Sequence, residues 1–290
     1  MDFLKYRYVF LAVSLSFIII GLIYSFNVGF KFDIDFKGGT KIQVDLKQDF
    51  NNKDIEELVY NVCNKKPLVQ KMSGGTSSVS ITTEVISEEL SDKISKELKN
   101  KYSNMEDPSV RNVQPAFGKD LIESAVLAII AAIVLILIYI GFRFKVLGFT
   151  AAVTAIISLV HDALVMLTVY GICGFAINST FVAVLLTIIG YSINDTIIVY
   201  DRIRENKRKV TKVQNLKETI NTSISQTMKR TIYTSFTTIA TISIVYIFAY
   251  FNNQQVLMEF SLPLVIGIII GTYSSIFIAS SLWYIFDKKK

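Results

Sequence analysis

Leu185-Leu186-Thr187-Ile188-Ile189-Gly190-Tyr191-Ser192-Ile193-Asn194-Asp195-Thr196-Ile197-Ile198-Val199-Tyr200-Asp201 decides how the chain is read. It closes an apolar run from about Phe175 to Tyr200, and about 20 such residues span a bilayer as a helix. Yet the run holds a carboxylate, which costs about 2.5–3.5 kcal/mol at the bilayer centre on insertion scales. Asp195 lies about 9 Å inside the boundary at Asp201, at 1.5 Å per residue. Thr187, Tyr191 and Ser192 precede it by eight, four and three residues and are expected to share its face, a polar stripe in an apolar helix.

Five more apolar runs of spanning length lie around this one: Val9 to Val28, Leu121 to Phe142, Val146 to Tyr170, Thr231 to Phe251 and Phe260 to Phe286. The 290 residues are 51% hydrophobic and only 19% charged, with a mean hydropathy of +0.45. A soluble domain is nearer a quarter charged, so a membrane protein with a soluble insert is expected. Lys5 and Arg7 precede the first run, whose apolar region is too long for a cleaved signal and is followed by no small-residue cleavage site; it reads as a retained anchor. Two cysteines, Cys63 and Cys173, and one histidine, His161, are too few for a disulfide framework or a Cys/His metal site.

Basic residues set the orientation. They collect at the start, at Arg143 and Lys145, between Arg202 and Arg230, and in the tail Lys288-Lys289-Lys290, whereas the short connections Gly171 to Gly174 and Asn252 to Gln255 carry none. Both termini are therefore expected in the cytoplasm, and Gly29 to Lys119 outside. That outer segment has fourteen Lys/Arg and fourteen Asp/Glu, so the net charge of +6 is topological and nucleic acid is a poor reading.

The expected organisation is residues 1–28 as cytoplasmic start and first span, 29–119 as an outer domain, and 120–290 as five further spans with a basic cytoplasmic loop over 201–230. Within the outer segment, Lys41–Leu46 alternates as a strand and Asp54–Cys63 has helical spacing. Leu68–Met72 and Ser78–Thr83 read as strands around the turn Ser73-Gly74-Gly75-Thr76. Ser87 caps a helix whose first turn holds Glu88 and Glu89, and Pro108–Val113 is a last strand. The order β-α-β-β-α-β predicts an α+β, ferredoxin-like (βαββαβ) extracytoplasmic domain between the first two of six transmembrane α-helices. Periodic Val213, Leu216, Ile220 and Ile224 predict one or two helices lying along the inner membrane surface.

Beyond Asp195, His161 and Asp162 lie in the third span, about 24–25 Å up from Lys145 and so in the outer half. Arg230 opens the fifth span, with hydroxyls at Thr231, Thr234, Thr238 and Thr241 above it. Burial disfavours the charged form of a carboxyl group, and a chain of such groups can pass protons through a wet bundle interior. The plain alternatives are an Asp195–Arg230 bridge, packing roles for Asp162 and His161, and hydroxyls that serve only helix contacts. Gly267, Gly271, Ser275 and Ala279 form a small-residue ridge on the last span, for internal packing or for a partner.

The run Gly190 to Asn206, together with Asp35-Phe36-Lys37-Gly38-Gly39-Thr40 after the first span, Ser225-Gln226-Thr227-Met228-Lys229-Arg230-Thr231 before the fifth, and His161-Asp162, resembles the SecF subunits of the bacterial protein-export machinery. The resemblance covers nearly the whole chain. It implies a SecD partner with a related six-span bundle, an assembly similar to resistance-nodulation-division (RND) transporters, and association with the SecYEG channel and with YajC-like and YidC-like accessory proteins. The implied activity is export of unfolded preprotein across the bacterial cytoplasmic (inner) membrane, driven by the proton-motive force, with no other cofactor, no metal and no enzymatic reaction. By the same resemblance Asp195 and Arg230 occupy positions implicated in proton conduction, joined by Asp162 and His161. Asn194, Ser192, Tyr191, Thr234 and Thr238 are the expected polar support; Asp35, Gly38, Gly39 and Thr40 are the outer-domain motif. Two positions depart from the pattern. Asp33 stands where a glycine is usual, and Gln114 where a glycine often precedes the proline.

Three other readings compete. A free-standing RND-like exporter of small molecules or lipid usually carries both halves in one chain. An intramembrane aspartyl protease needs Asp162 and Asp195 within reach of one water, and the depth estimates separate them. A nucleotide-driven motor lacks its G-x-x-x-x-G-K-[ST] loop.

Overall fold

The computed structural model describes residues 2–72, 77–209, 216–252 and 254–287. The expected turn at 73–76, Val213 and the Lys288–Lys290 tail lie outside the described residues. A 3-10 turn, Phe3–Tyr6, leads into α1 (Arg7–Val28), which ends where Gly29 takes φ +88°. Then come α2 (Ile34–Lys37), β1 (Gly39–Asp45), α3 (Asn52–Cys63), β2 (Leu68–Lys71), β3 (Ser78–Thr83), α4 (Glu88–Lys101) and β4 (Ser109–Val113). The long helices α5 (Pro115–Arg143), α6 (Phe149–Cys173), α7 (Ser179–Lys209), α8 (Leu216–Phe251) and α9 (Gln255–Tyr273) follow. A π-helical stretch, Ser274–Ala279, joins α9 to α10 (Ser280–Asp287).

The four strands form one antiparallel sheet in the order β2-β3-β1-β4. Alternation puts Ile42, Val44, Val69, Val79 and Ile81 on one face, where α3 and α4 cover them with Ile55, Val59, Ile94 and Leu98. The caps are local: Asn51 accepts from Lys53 N at 3.1 Å, and Ser87 from Leu90 N at 3.4 Å.

α2 is a helix that the sequence patterns do not foresee. Asp33 caps it, accepting Ile34 N at 2.9 Å, and pairs with the buried Lys41 at 2.9 Å, so this departure from the family pattern has its own partners. Gly38, at φ +74°, turns the chain from α2 into β1, and a Cβ there would stand 2.7 Å from the Pro115 nitrogen. At Gly118 a Cβ would meet the Phe36 carbonyl oxygen at 2.5 Å, so these glycines let α2 seat on the start of α5. Gln114 is ordinary extended backbone, at φ −72°, and needs no glycine.

Six helices are long and apolar enough to cross a membrane: Phe3–Val28, Pro115–Arg143, Phe149–Cys173, Ser179–Lys209, Leu216–Phe251 and Gln255–Asp287. Half or more of the apolar window is buried in the third, fourth and sixth, but little in α5 and α8. α6, α7 and α9–α10 thus form the bundle centre. The ridge Gly267–Gly271–Ser275–Ala279 packs inside it: a Cβ on Gly267 would meet Ile188 Cδ1 at 1.9 Å, and one on Gly271 would meet Ser192 Cβ at 3.0 Å. Small residues let α9 approach α7 closely.

The basic segments gather at one end of the bundle. Asp201 pairs with Arg143 at 2.9 Å and Arg204 at 2.8 Å, Lys207 with Asp287 at 3.3 Å, and Lys217 with Asp2 at 2.6 Å. The expectation of separate surface helices over 201–228 is corrected. α7 runs on to Lys209 and α8 begins at Leu216, because no glycine or proline interrupts either extension. Ile220 and Ile224 are buried in the bundle core.

Candidate functional site

The site is a polar layer across the bundle centre. Asp162 on α6 is fully buried. Its Oδ2 accepts from Ser192 Oγ of α7 at 2.6 Å and from Ser274 Oγ of the π-helical stretch at 2.8 Å. Its Oδ1 lies 3.0 Å from His161 Nδ1. The other His161 nitrogen, Nε2, is hydrogen-bonded to Ser14 Oγ of α1. Tyr273 stands beside that ring, its hydroxyl donating to the Phe10 carbonyl at 3.1 Å. Asp162 is therefore a carboxylate whose oxygens are both engaged, as burial requires.

Asp195 differs. It too is fully buried, but its Oδ2 has one long hydrogen bond, from Thr272 Oγ1 of α9 at 3.4 Å, and its Oδ1 has no partner among the described residues. From Thr272 the hydroxyls continue to Ser235 Oγ of α8 at 2.7 Å, and Tyr191 OH donates to Ser235 at 3.3 Å. Arg230, on α8, is exposed and makes no ion pair with Asp195. Thr196 Oγ1 donates to Ser275 Oγ at 2.9 Å, and Ser275 to the Ser192 carbonyl at 2.9 Å, so the π-helical stretch is tied to α7 beside both acids. Single π turns often occur at functional sites.

Several site expectations change. Asp162 and Asp195 do not lie in opposite halves: Ser192, one turn from Asp195, touches Asp162. Residues 145–147 are a separate 3-10 turn and α6 begins only at Phe149, and Asp201 lies inside a helix that continues past it. No hydrogen bond among the described residues joins the two carboxyl groups. Asn194 is exposed, as are Thr187 and Thr234, and Thr238 is half-buried. Thr234 and Thr238 donate only to carbonyls of their own helix, so they do not join the layer. Thr187 misses it because eight residues at 100° each end 80° past two full turns. Ser235, Thr272, Ser274 and Ser14 were the partners overlooked; hydroxyls in apolar helices give no signal of which neighbour they meet.

The motif residues Asp35, Gly38, Gly39 and Thr40 lie away from this layer, at the junction of sheet and bundle. Thr40 Oγ1 accepts from Ile86 N at 3.2 Å, and Asp35 Oδ2 from Ser179 N at 3.0 Å. Cys63 and Cys173 are free.

A family model described as protein export membrane protein SecD/SecF, C-terminal, matches residues 93–289. A protein translocase subunit SecF from Dictyoglomus turgidum is 35% identical over 280 residues, covering 96% of this chain and 93% of the relative. A protein translocase subunit SecDF from Bacillus subtilis is 34% identical over 284 residues, covering 96% of this chain but only 37% of that longer protein. Among solved structures, SecDF from Thermus thermophilus, described as a translocon-associated membrane protein, matches with TM-score 0.87 at 29% identity, over all of this chain and 39% of that one. A SecDF in a super-membrane-facing form matches with TM-score 0.70 at the same identity and coverage. With its six apolar helices, the chain is a multi-pass membrane protein and belongs to the SecD/SecF family.

Proposed function

We propose that the chain is the SecF-type subunit of a preprotein translocase, which with SecD uses the proton-motive force to promote export of unfolded protein across the cytoplasmic membrane. The observation that carries the energetic half is Asp195. It is the buried carboxyl group least committed to fixed partners, and its hydroxyl chain leads through Thr272 and Ser235 toward α8, the helix of Arg230. A proton crossing 100 mV releases about 2.3 kcal/mol, enough to bias two states of a bundle. Asp162 and His161 form the better-held second part of the relay.

The SecD partnership is supported by small and polar residues on outward faces of α7 and α8. Ala183, Thr187, Gly190 and Asn194 of α7 are exposed, and so are Arg230, Thr234, Thr237 and Thr241 of α8. Small and polar groups at membrane depth face protein or water, so this face fits a second helix bundle. In the longer SecDF relatives, more than half of the chain lies beyond the part matched here. Near-full-length likeness to translocase subunits favours protein export over a free-standing exporter.

The sheet with α3 and α4 has the strand order of a ferredoxin-like domain, and the basic end of the bundle lies opposite it. The positive-inside rule then puts both termini in the cytoplasm and the sheet domain outside. On this reading the protein is not an enzyme and needs no cofactor but the gradient. Its other partners are the SecYEG channel with YajC-like and YidC-like proteins, and membrane lipid.

The test is Asp195→Asn, with secretion of a preprotein followed by pulse-chase with and without a protonophore. Export is expected to fall to the rate of protonophore-treated wild type and no further, with normal abundance and normal SecD association. Full export at normal abundance refutes the relay.

A further inference from the structure

The motif carboxylate Asp35 has no part in the polar layer, yet it is almost fully buried. Its Oδ2 accepts from both the backbone N, at 3.0 Å, and the Oγ, at 2.5 Å, of Ser179, the first residue of α7. Its Oδ1 accepts from Arg111 Nη2 of β4 at 3.2 Å. α7 already has its own cap, since Asn178 Oδ1 accepts from Phe181 N at 3.0 Å. Asp35 therefore caps the same helix from another part of the molecule. A carboxylate suits that place, because the first helical N–H groups lack internal partners and the helix dipole favours negative charge there.

Three bodies meet on this one side chain: α2, which is seated on α5; the sheet, through Arg111 and the direct continuation of α2 into β1; and α7. Both contacts reach toward solvent: Ser179 is exposed, as is the Arg111 side chain, and Asp35 itself is buried between them. From Ser179, α7 runs unbroken for 16 residues, about 24 Å, to Asp195.

We propose that Asp35 is a positioning residue that couples the sheet domain to α7, so that movement of the domain against the bundle is passed along α7 to Asp195. The last clause rests on the proton-relay reading; the coupling of domain to helix does not.

The test uses the full-length chain with its SecD partner in liposomes, with Cys63→Ser, and spin labels on Cys173 and on Lys96→Cys of α4. Both labelled positions are exposed. Distances are measured with Asp195 intact and no gradient applied. Asp35→Ala is expected to broaden the domain-to-bundle distance distribution. The docked-to-undocked ratio should fall roughly tenfold, as expected for loss of a charge-assisted hydrogen bond. Arg111→Ala, and Asp35→Asn, which keeps an acceptor for Ser179 but loses the charge, should shift it in the same direction by less.

A wild-type distribution in Asp35→Ala overturns the coupling. If that variant does not accumulate, wild-type distributions in the other two overturn it. A broadened distribution with undiminished proton-dependent export overturns the transmission to Asp195. Failure of the Asp195→Asn test leaves the distance result standing, so the two readings fail separately.

Discussion

Gly267→Ala adds one methyl group where α9 crosses α7. The added Cβ would lie 1.9 Å from Cδ1, 2.4 Å from Cγ1 and 3.4 Å from Cγ2 of Ile188. Carbon atoms rest about 3.5–4.0 Å apart, so the ethyl arm of Ile188 must retreat by about 1.5 Å or the helices must part. Ile188 is fully buried, and a β-branched side chain in a helix has one strongly preferred χ1. Overpacking of this kind costs about 1–3 kcal/mol. That outweighs the gain of roughly 0.8–1 kcal/mol from replacing glycine by alanine in a helix.

Gly190 is the internal control. It lies in the same membrane region, with nothing within 4 Å of its ideal Cβ, so Gly190→Ala should keep the helix gain and leave the isolated chain as stable or more so. The assay is equilibrium unfolding in mixed micelles, with a double-mutant cycle. Ile188→Val removes only Cδ1 and should relieve Gly267→Ala in part; Ile188→Ala removes Cγ1 as well and should relieve it further. A coupling energy of about 1–3 kcal/mol is expected for residues in direct contact. An additive cycle, or a Gly267→Ala variant as stable as wild type, refutes the claim that the small-residue ridge packs on α7.

Gly190→Leu should not lower the unfolding midpoint of the isolated chain, since it too keeps the helix gain, but should lower co-purification with SecD several-fold, because the bulk is added to the exposed face; unchanged co-purification moves the partner elsewhere. In the sheet domain, the Lys71 hydrogen bond holds Asp49 below the ordinary carboxylate range. Burial pushes Asp45 up, but the Lys47 backbone N–H and charge, with Ser77, outweigh it and leave it low as well. Both contribute stability that is full above the unfolded value, about 3.9, and lost as pH falls through the lower folded values. Amide exchange over 39–113 should accelerate as the pH is lowered through that window, corrected for intrinsic rates, and Asp49→Asn should weaken the dependence; a profile unaltered by Asp49→Asn removes that pair from the account.

The strands and helices of the sheet domain were legible because alternation and caps are local signals, and the spans because apolar length is. The interior of the bundle was less so. Depth counted along each helix separately put Asp162 and Asp195 in opposite halves, since the sequence does not say that α6 begins only at Phe149 or that α7 continues past Asp201 to Lys209. Helical spacing from Asp195 gathered Tyr191 and Ser192 correctly but drew in Thr187, where the error of 3.6 against 4 residues per turn had accumulated. The hydroxyls of Thr234 and Thr238 looked like interior groups, yet Thr234 is exposed and Thr238 only half-buried. An outward polar face implies a partner, and one chain's periodicity cannot separate it from a core-facing stripe. α2 escaped notice because four residues are too few to show a period.

The two helices that hold the acids differ in kind. α7 is 31 residues without a proline, about 46 Å of continuous hydrogen-bonded rod. It meets Asp35 at one end, carries Ser192 and Asp195 in its middle, and pairs through Asp201 with Arg143 about two turns before the other end. The last helix is interrupted, by Pro263 and then by the π-helical turn Ser274–Ala279, and such breaks are where helices bend. Each acid is bonded to this interrupted helix, Asp195 through Thr272 and Asp162 through Ser274. A change of charge on either acid therefore alters bonds that end on the more compliant element, while the rod carries the consequence to the sheet domain. Coupling over such a distance needs an element that both sites bias, and the Ser274–Ala279 turn is the irregular element that both acids adjoin, Asp162 through Ser274 and Asp195 through Thr272 just before it.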